Sequence, residues 1–190
     1  MQRVPLRTFE SCYSLEETDE HAIDLGAGFS GGVVCARPKR SGDFSFLARC
    51  PGESSCGSTL ILDKTSLDTL PPEIGRLKNL KVLLLHRNSL KKLPDEVASL
   101  QSLEAIYPGG SPDLNFSRVI EVLAKLPLLE GVGLDDNQMG KVPANIGRLQ
   151  ACKRLGLSSN RLTALPAEIG SLASLASIST RNNSITGTAC

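Results

Sequence analysis

LKVLLLHRNSLKKLPDEVASLQS, residues 80–102, alternates apolar side chains at Leu83 and Leu85 and then spaces them at Leu90, Leu93, Val97 and Leu100, with Asn88 and Pro94 between them. The first spacing is that of a strand with one buried face; the second fits neither a strand nor a single helix. A stretch that changes period in this way is a supersecondary unit that folds back on itself, and it buries both of its walls only if copies of it stack.

Copies are present. The first position of the unit recurs at Gly57, Leu80, Leu103, Leu129, Cys152 and Leu175, in steps of 23 residues apart from one of 26 after Leu103. The shared pattern is L-x-x-L-x-L-x-x-N-x-L-x-x-L-P-x-x-I-x-x-L-x-x, fullest in residues 80–102, 129–151 and 152–174. Leu83 and Leu85, Val132 and Leu134, Leu155 and Leu157, and Ile178 fall on the inward side of short strands that would pair side by side in parallel. Pro94, Pro143 and Pro166 stand where a return turn or short helix would start. Each leucine buried by stacking contributes about 1.5–3 kcal/mol. Asn88, Asn137, Asn160 and Asn183 recur at position nine, where an amide with two donors and one acceptor can satisfy backbone groups opened by the bend after the strand; they are expected to form a structural ladder. Cys152 replaces a leucine, which predicts a buried, inert thiol.

The pattern resembles the leucine-rich repeat, and the LPxxIGxL segments at residues 70–77 and 165–172, with Val142 opening the version at 142–149, are similar to those of the intracellular Ras-group class. The resemblance covers residues 57–190. It implies an α/β solenoid with a curved parallel β-sheet on the concave face and short helices or turns on the convex face. It also implies a protein-binding scaffold or adaptor with small GTPase or phosphatase signalling partners in the cytoplasm, though no residue identifies one.

Two units depart from the pattern. Residues 103–128 carry Pro108 at an inward position and Ser111 in place of the asparagine, within YPGGSPD, so the strand here should be shortened. SRVIEVLAKL, with Val119, Ile120, Leu123 and Leu126 at helical spacing, predicts an amphipathic helix on the convex side. The YPGG stretch is either a recognition feature or a tolerated insertion. The last unit, residues 175–190, stops before its proline. Either its polar Ser177, Ser179, Thr180, Arg181, Asn182 and Asn183 make it its own cap, or the chain is a piece of a larger leucine-rich repeat protein such as a receptor, kinase or nucleotide-binding protein.

Residues 1–56 have no repeat register and are rich in glycine and serine. HAIDLGAGFSGGVVCAR, residues 21–37, superficially resembles a nucleotide- or methyl-donor-binding turn over residues 24–32, but the strand before it is short and Val33, Val34 and Cys35 continue as a strand rather than a helix. A glycine-rich hairpin is the expected form. Residues 44–50 and 58–63 flank PGESSCG and predict a hairpin or an irregular strand leading into the repeats. Part of residues 40–56 is expected to cover the first coil, whose apolar layer would otherwise face water.

Composition narrows the function. In 190 residues with 41% hydrophobic and 22% charged side chains and a net charge of +1, neither nucleic acid nor an anionic membrane is an expected partner. Aromatics make up only 4%, so base-stacking platforms lack material. The amino terminus has no charged start followed by an apolar block, which points to a cytoplasmic chain with free thiols and not to secretion. The alternative, a Cys50–Cys56 disulfide, would go with an extracellular repeat domain. The histidines His21 and His86 lie in different regions, no zinc or protease motif surrounds either, and neither an enzyme nor a cofactor or metal site is expected.

Binding by a monomeric solenoid is the expected function, on the outward side chains of the strands. These include Lys64 from the first coil and Val82, Leu84, His86 and Arg87 from the second. Tyr107 follows from the third, then Glu130, Asp135 and Asp136 from the fourth, Lys153 and Arg154 from the fifth and Arg181 from the last. Charge sign alternates along these rows, which suits a partner with its own charge pattern. Val82, Leu84 and Tyr107 would supply an apolar centre. Asp135 and Asp136, adjacent in sequence, are expected to diverge as solvated charges.

Overall fold

Three strand residues, a tight turn and a return segment make up each coil. The computed structural model describes residues 58–186 and the strand Val33–Cys35. The strands are β1 (Val33–Cys35), β2 (Thr59–Ile61), β3 (Val82–Leu84), β4 (Ala105–Tyr107), β5 (Gly131–Gly133), β6 (Arg154–Gly156) and β7 (Ser177–Ser179). They form one seven-stranded sheet in chain order, with every neighbour parallel. The return is made by the 3₁₀ helices Pro72–Arg76, Asp95–Ser99, Ala144–Arg148 and Ala167–Ser171 and by the helix α1 (Phe116–Leu123). Pro94, Pro143 and Pro166 each sit immediately before their 3₁₀ helix in an extended conformation, since the proline ring presets φ and lacks an amide that a helix start would leave unpaired anyway. The α/β leucine-rich repeat solenoid read from the sequence is the observed fold.

Between sheet and return lies a single apolar core. Leu83, Leu85, Ile106, Leu134 and Leu157 are fully buried on the strand side, and Ile74, Val97, Leu100, Val119 and Ile146 meet them from the return side. Cys152 is buried in the same layer, and burial pushes its thiol pKa up, away from the reactive thiolate.

The turn after each strand is the same in every described coil. Position eight is left-handed, with φ of 55° at Lys64, 54° at Arg87, 71° at Gly110, 57° at Asp136, 53° at Ser159 and 55° at Asn182. Its amide donates to the position-seven carbonyl of the next coil, as in Lys64 to His86 (2.9 Å) and Asp136 to Ser158 (3.0 Å). Asparagine at position nine then closes the turn. Asn88 accepts from the amides of Thr65 and Leu67 and donates to the carbonyls of Leu62 and Leu85; Asn160 does the same for Asn137, Met139, Leu134 and Leu157. Asn183 accepts from Leu162 and donates to Leu157 and Thr180. Asn137 is the partial member: it accepts from Ser111 at 2.7 Å, but its buried Nδ2 has no partner, because the coil before it is the irregular one.

That coil differs in a way the sequence left open. Pro108 has no amide to donate at position six, where Leu85 and Leu134 bond to the next coil, and β4 pairs with β5 over two residues instead of three. YPGG is not a loop standing away from the fold. Pro108 and Gly109 are buried, Gly109 accepts from the Arg87 amide at 2.9 Å, and the Gly110 amide donates to Asp135 at 3.1 Å. The extra length lies on the convex side, where α1 replaces a 3₁₀ turn, is capped by the Asn115 side chain on the Arg118 amide, and buries Val119, Ile120, Val122 and Leu123.

At the amino-terminal end β1 extends the sheet by one strand ahead of the repeats. Both edges of β2 are therefore taken by parallel neighbours. Residues 44–50, expected to form a hairpin or an irregular strand with 58–63, lie outside the described residues. The rest of the glycine-rich hairpin, residues 24–32, the proposed cap in residues 40–56 and the Cys50–Cys56 pair lie outside the described residues. At the other end β7 pairs only with β6 among the described residues, and the inward Ile178 is 38% exposed.

Candidate functional site

All the helices return on one side of the sheet, so the opposite side is built from the outward residues of positions three, five and seven. Its first part is apolar and tightly self-covered. Val82 and Leu84 were expected to be exposed; they are 2% and 6% exposed and form a second small cluster with Ala105, Ile61 and Tyr107. Parallel register explains it: Val82 lies between Thr59 and Ala105, and Leu84 between Ile61 and Tyr107, so large outward side chains on adjacent strands cover one another. They form a floor rather than contact surface.

The alternating charge rows are a second correction. Lys81 pairs with Glu104 at 2.9 Å and Lys153 with Glu130 at 2.7 Å, each across one coil boundary. Residues at position two of adjacent coils come within ion-pair reach, so the alternation is largely answered inside the chain. These pairs are exposed and worth at most about 1 kcal/mol each. Arg154 has no carboxylate within ion-pair distance among the described residues. Arg87, Lys64, Asp136 and Arg181 are exposed along the rim of position-seven and position-eight turns.

Asp135 and Asp136 do diverge, but only Asp136 is solvated. Asp135 is partly buried, and its Oδ1 accepts from the Ser158 amide at 2.6 Å; Asp63 accepts from the His86 amide at 2.7 Å in the same way. An acidic residue at position seven thus caps the next coil. Burial raises the carboxyl pKa of both, against the lowering effect of those amides. A carboxyl whose folded pKa lies above its unfolded one binds its proton more tightly in the folded state, so its contribution to stability is present below the unfolded value and is lost as pH rises through the folded one. Asp135→Asn keeps an acceptor for Ser158 and removes the buried charge. Its melting temperature should exceed that of wild type at pH 7, with the difference fading below about pH 4; a less stable variant at pH 7 would contradict the desolvation account.

His86 and Tyr107 stack with ring centroids 5.8 Å apart and planes 30° apart, and His86 Nε2 is buried without a hydrogen-bond partner. Burial raises the Tyr107 pKa, so its hydroxyl keeps its proton. The residues that sequence reasoning passed over are Gly131, Gly133 and Gly156, three outward positions without side chains. A Cβ on Gly133 would stand 2.5 Å from the Tyr107 ring, and one on Gly156 would overlap the Asp135 carboxylate. A Cβ on Gly131 would stand 3.4 Å from Arg154 Nη2 and 3.5 Å from the Tyr107 hydroxyl. Glycine at outward strand positions is the signal: strands there lose packing unless another group comes close to the backbone. Tyr107, Asp135 and Arg154, all expected at the site, are brought together by these gaps. Lys64 and Arg181, on the first and last described coils, belong to other parts of the face.

Among the described residues no His, Cys, Asp or Glu cluster could hold a metal ion, and no helix is long and apolar enough to cross a membrane. Solved structures similar to this chain include the plant peptide hormone receptor RGFR1 in complex with RGF2, with 29% identity, a TM-score of 0.51, and coverage of 67% of this chain and 21% of the receptor. A leucine-rich repeat protein of Leptospira interrogans matches at 27% identity and a TM-score of 0.50, over 65% of this chain and 37% of that one. The leucine-rich repeat domain of the type III effector XopL matches at 26% and 0.53, over 65% and 44%. This chain spans less than half the length of each of these. No protein-family model matches the chain, and no curated protein matches it significantly. The 23-residue period, the asparagine ladder in the turns and the agreement of these structures give this chain the leucine-rich repeat fold.

Proposed function

We propose that the chain is a non-catalytic, monomeric protein-interaction scaffold whose partner lies on the concave face of the sheet. The observation that carries this reading is the division of labour within each coil: leucines and asparagines are taken up by the core and the turns, while the helix-free face keeps Arg87, Tyr107, Arg154 and Arg181 for contact. Similar solved proteins of this fold are consistent with it, RGFR1 having been solved with RGF2 bound. Residues 57–190 are then the binding domain and residues 1–56 its amino-terminal segment. The similarity of the LPxxIGxL segments to the Ras-group class favours a cytoplasmic adaptor in signalling.

The test is a pulldown with the full chain carrying Arg87→Glu, Tyr107→Ala and Arg181→Glu, beside a convex control carrying Glu73→Lys, Lys91→Glu and Arg148→Glu. Partners captured by wild type should fall about tenfold or more on the concave triple and persist on the control. Partners that persist on a folded concave triple would place the interface elsewhere.

A further inference from the structure

On the concave face, the two donors that meet over Gly131 have no acceptor among the described residues. Arg154 Nη2 and the Tyr107 hydroxyl each lie about one contact distance from the place a Gly131 side chain would take, with the Ala105 methyl 3.2 Å from it. The lysines at position two are already neutralised by Glu104 and Glu130, and Arg154 is not. Gly131 is itself buried beneath these groups, so the notch is the shallow space above it, with the Ala105 methyl as a small apolar wall and one cationic and one neutral donor at its mouth.

We infer that this notch is a recognition pocket for the carboxylate of an aspartate or glutamate side chain in an extended segment of a partner protein. This rests on the concave-face reading and names the chemistry of that partner. A carboxylate has two oxygens in one plane: the guanidinium bonds one with charge assistance and the phenol the other. Missing side chains at Gly133 and Gly156 are taken up by the Tyr107 ring and the Asp135 carboxylate, which keeps this part of the sheet low enough for an extended segment to lie across it. The partly exposed Tyr107 ring lies beside the notch, over Gly133, so an apolar residue next to the acid fits the same segment. Asp135 sets the limit on charge. Its Oδ2 lies 3.4 Å from the Gly133 Cβ position, close enough to repel a second carboxylate or the additional charge of a phosphate. The segment recognised carries a single acid with an uncharged or basic neighbour.

A display library of random linear peptides, selected on the full chain, supplies the probe without knowledge of the natural partner. Selected sequences should be enriched in one Asp or Glu beside an apolar residue. With a synthetic copy of the strongest binder, Arg154→Gln should weaken binding about tenfold, Tyr107→Phe less, and replacing the peptide acid by its amide about as much as Arg154→Gln. Amide replacement should cause little further loss on Arg154→Gln, as one shared contact requires. Arg154 is exposed, so the variant is expected to fold, and an unchanged melting temperature verifies this. Gly131→Trp separates the two readings by filling the notch and blocking the face above it. Peptides lost on Gly131→Trp but indifferent to Arg154→Gln and to the amide leave the concave face standing and overturn the carboxylate pocket. Peptides indifferent to all three overturn both. Failure to select any peptide, lack of acid enrichment, or tighter binding when phosphoserine replaces the acid overturns the pocket as described.

Discussion

Asn160→Leu should lower unfolding free energy by about 3 kcal/mol or more, read as a fall in the urea midpoint at unchanged slope. The side chain is close in size to leucine, so packing volume is nearly kept and the loss isolates hydrogen bonding. Asn160 serves five backbone groups: its Oδ1 takes the amides of Asn137 and Met139 at 3.1 and 3.0 Å, and its Nδ2 gives to Leu134, Leu157 and Ser158 at 2.9, 3.0 and 3.2 Å. Each group stranded in the interior costs about 1–3 kcal/mol, and some relaxation keeps the sum below full additivity. Asn137→Leu is the internal comparison. Its Nδ2 is already unpartnered, and its Oδ1 takes only the Ser111 amide, so its loss should be about 1–2 kcal/mol. Equal losses at the two positions, or none at Asn160, would mean that the ladder does not hold the turns together.

The scaffold was legible because every coil repeats the same physical demand. Leu83 and Leu85 announce a half-buried strand, Asn88 the bend after it and Pro94 the start of the return, and each takes that place. What one coil says alone is less secure when the answer depends on the next coil. Val82 and Leu84 alternate correctly to the outer face, yet the register that places Ile61 and Tyr107 beside Leu84 covers them. Lys81 and Lys153 look like a basic row until Glu104 and Glu130, 23 residues away in each case, are seen to answer them. Asp135 looks like surface charge until the Ser158 amide of the following coil is found on it. The glycines of β5 and β6 were silent for the same reason: an absent side chain acquires meaning only from what moves into its place.

Gly110→Val should cost about 3 kcal/mol or more, and in doing so should disable the concave face next to it. Two costs combine. Gly110 is left-handed at φ 71°, a region where a β-branched residue is strongly disfavoured. A Cβ there would also stand 2.9 Å from the Arg87 amide nitrogen and 3.1 Å from its Cα, and backbone atoms cannot rotate away as a side chain would. Coils two and three must separate, which strains the Arg87 to Gly109 bond on one side and the Gly110 to Asp135 bond on the other. Those bonds hold the strand end that carries Tyr107 against His86, so the stack should be lost before the rest of the array melts. Gly170→Ala provides the contrast, since no atom lies within 4 Å of its Cβ position, and it should be neutral or stabilising by about 0.5 kcal/mol. Denaturation midpoints for both variants, with hydrogen exchange at residues 105–111, test the sequence of events. Gly110→Val as stable as wild type, or exchange that rises evenly across all coils, would mean that the close approach of these two turns does not position the site.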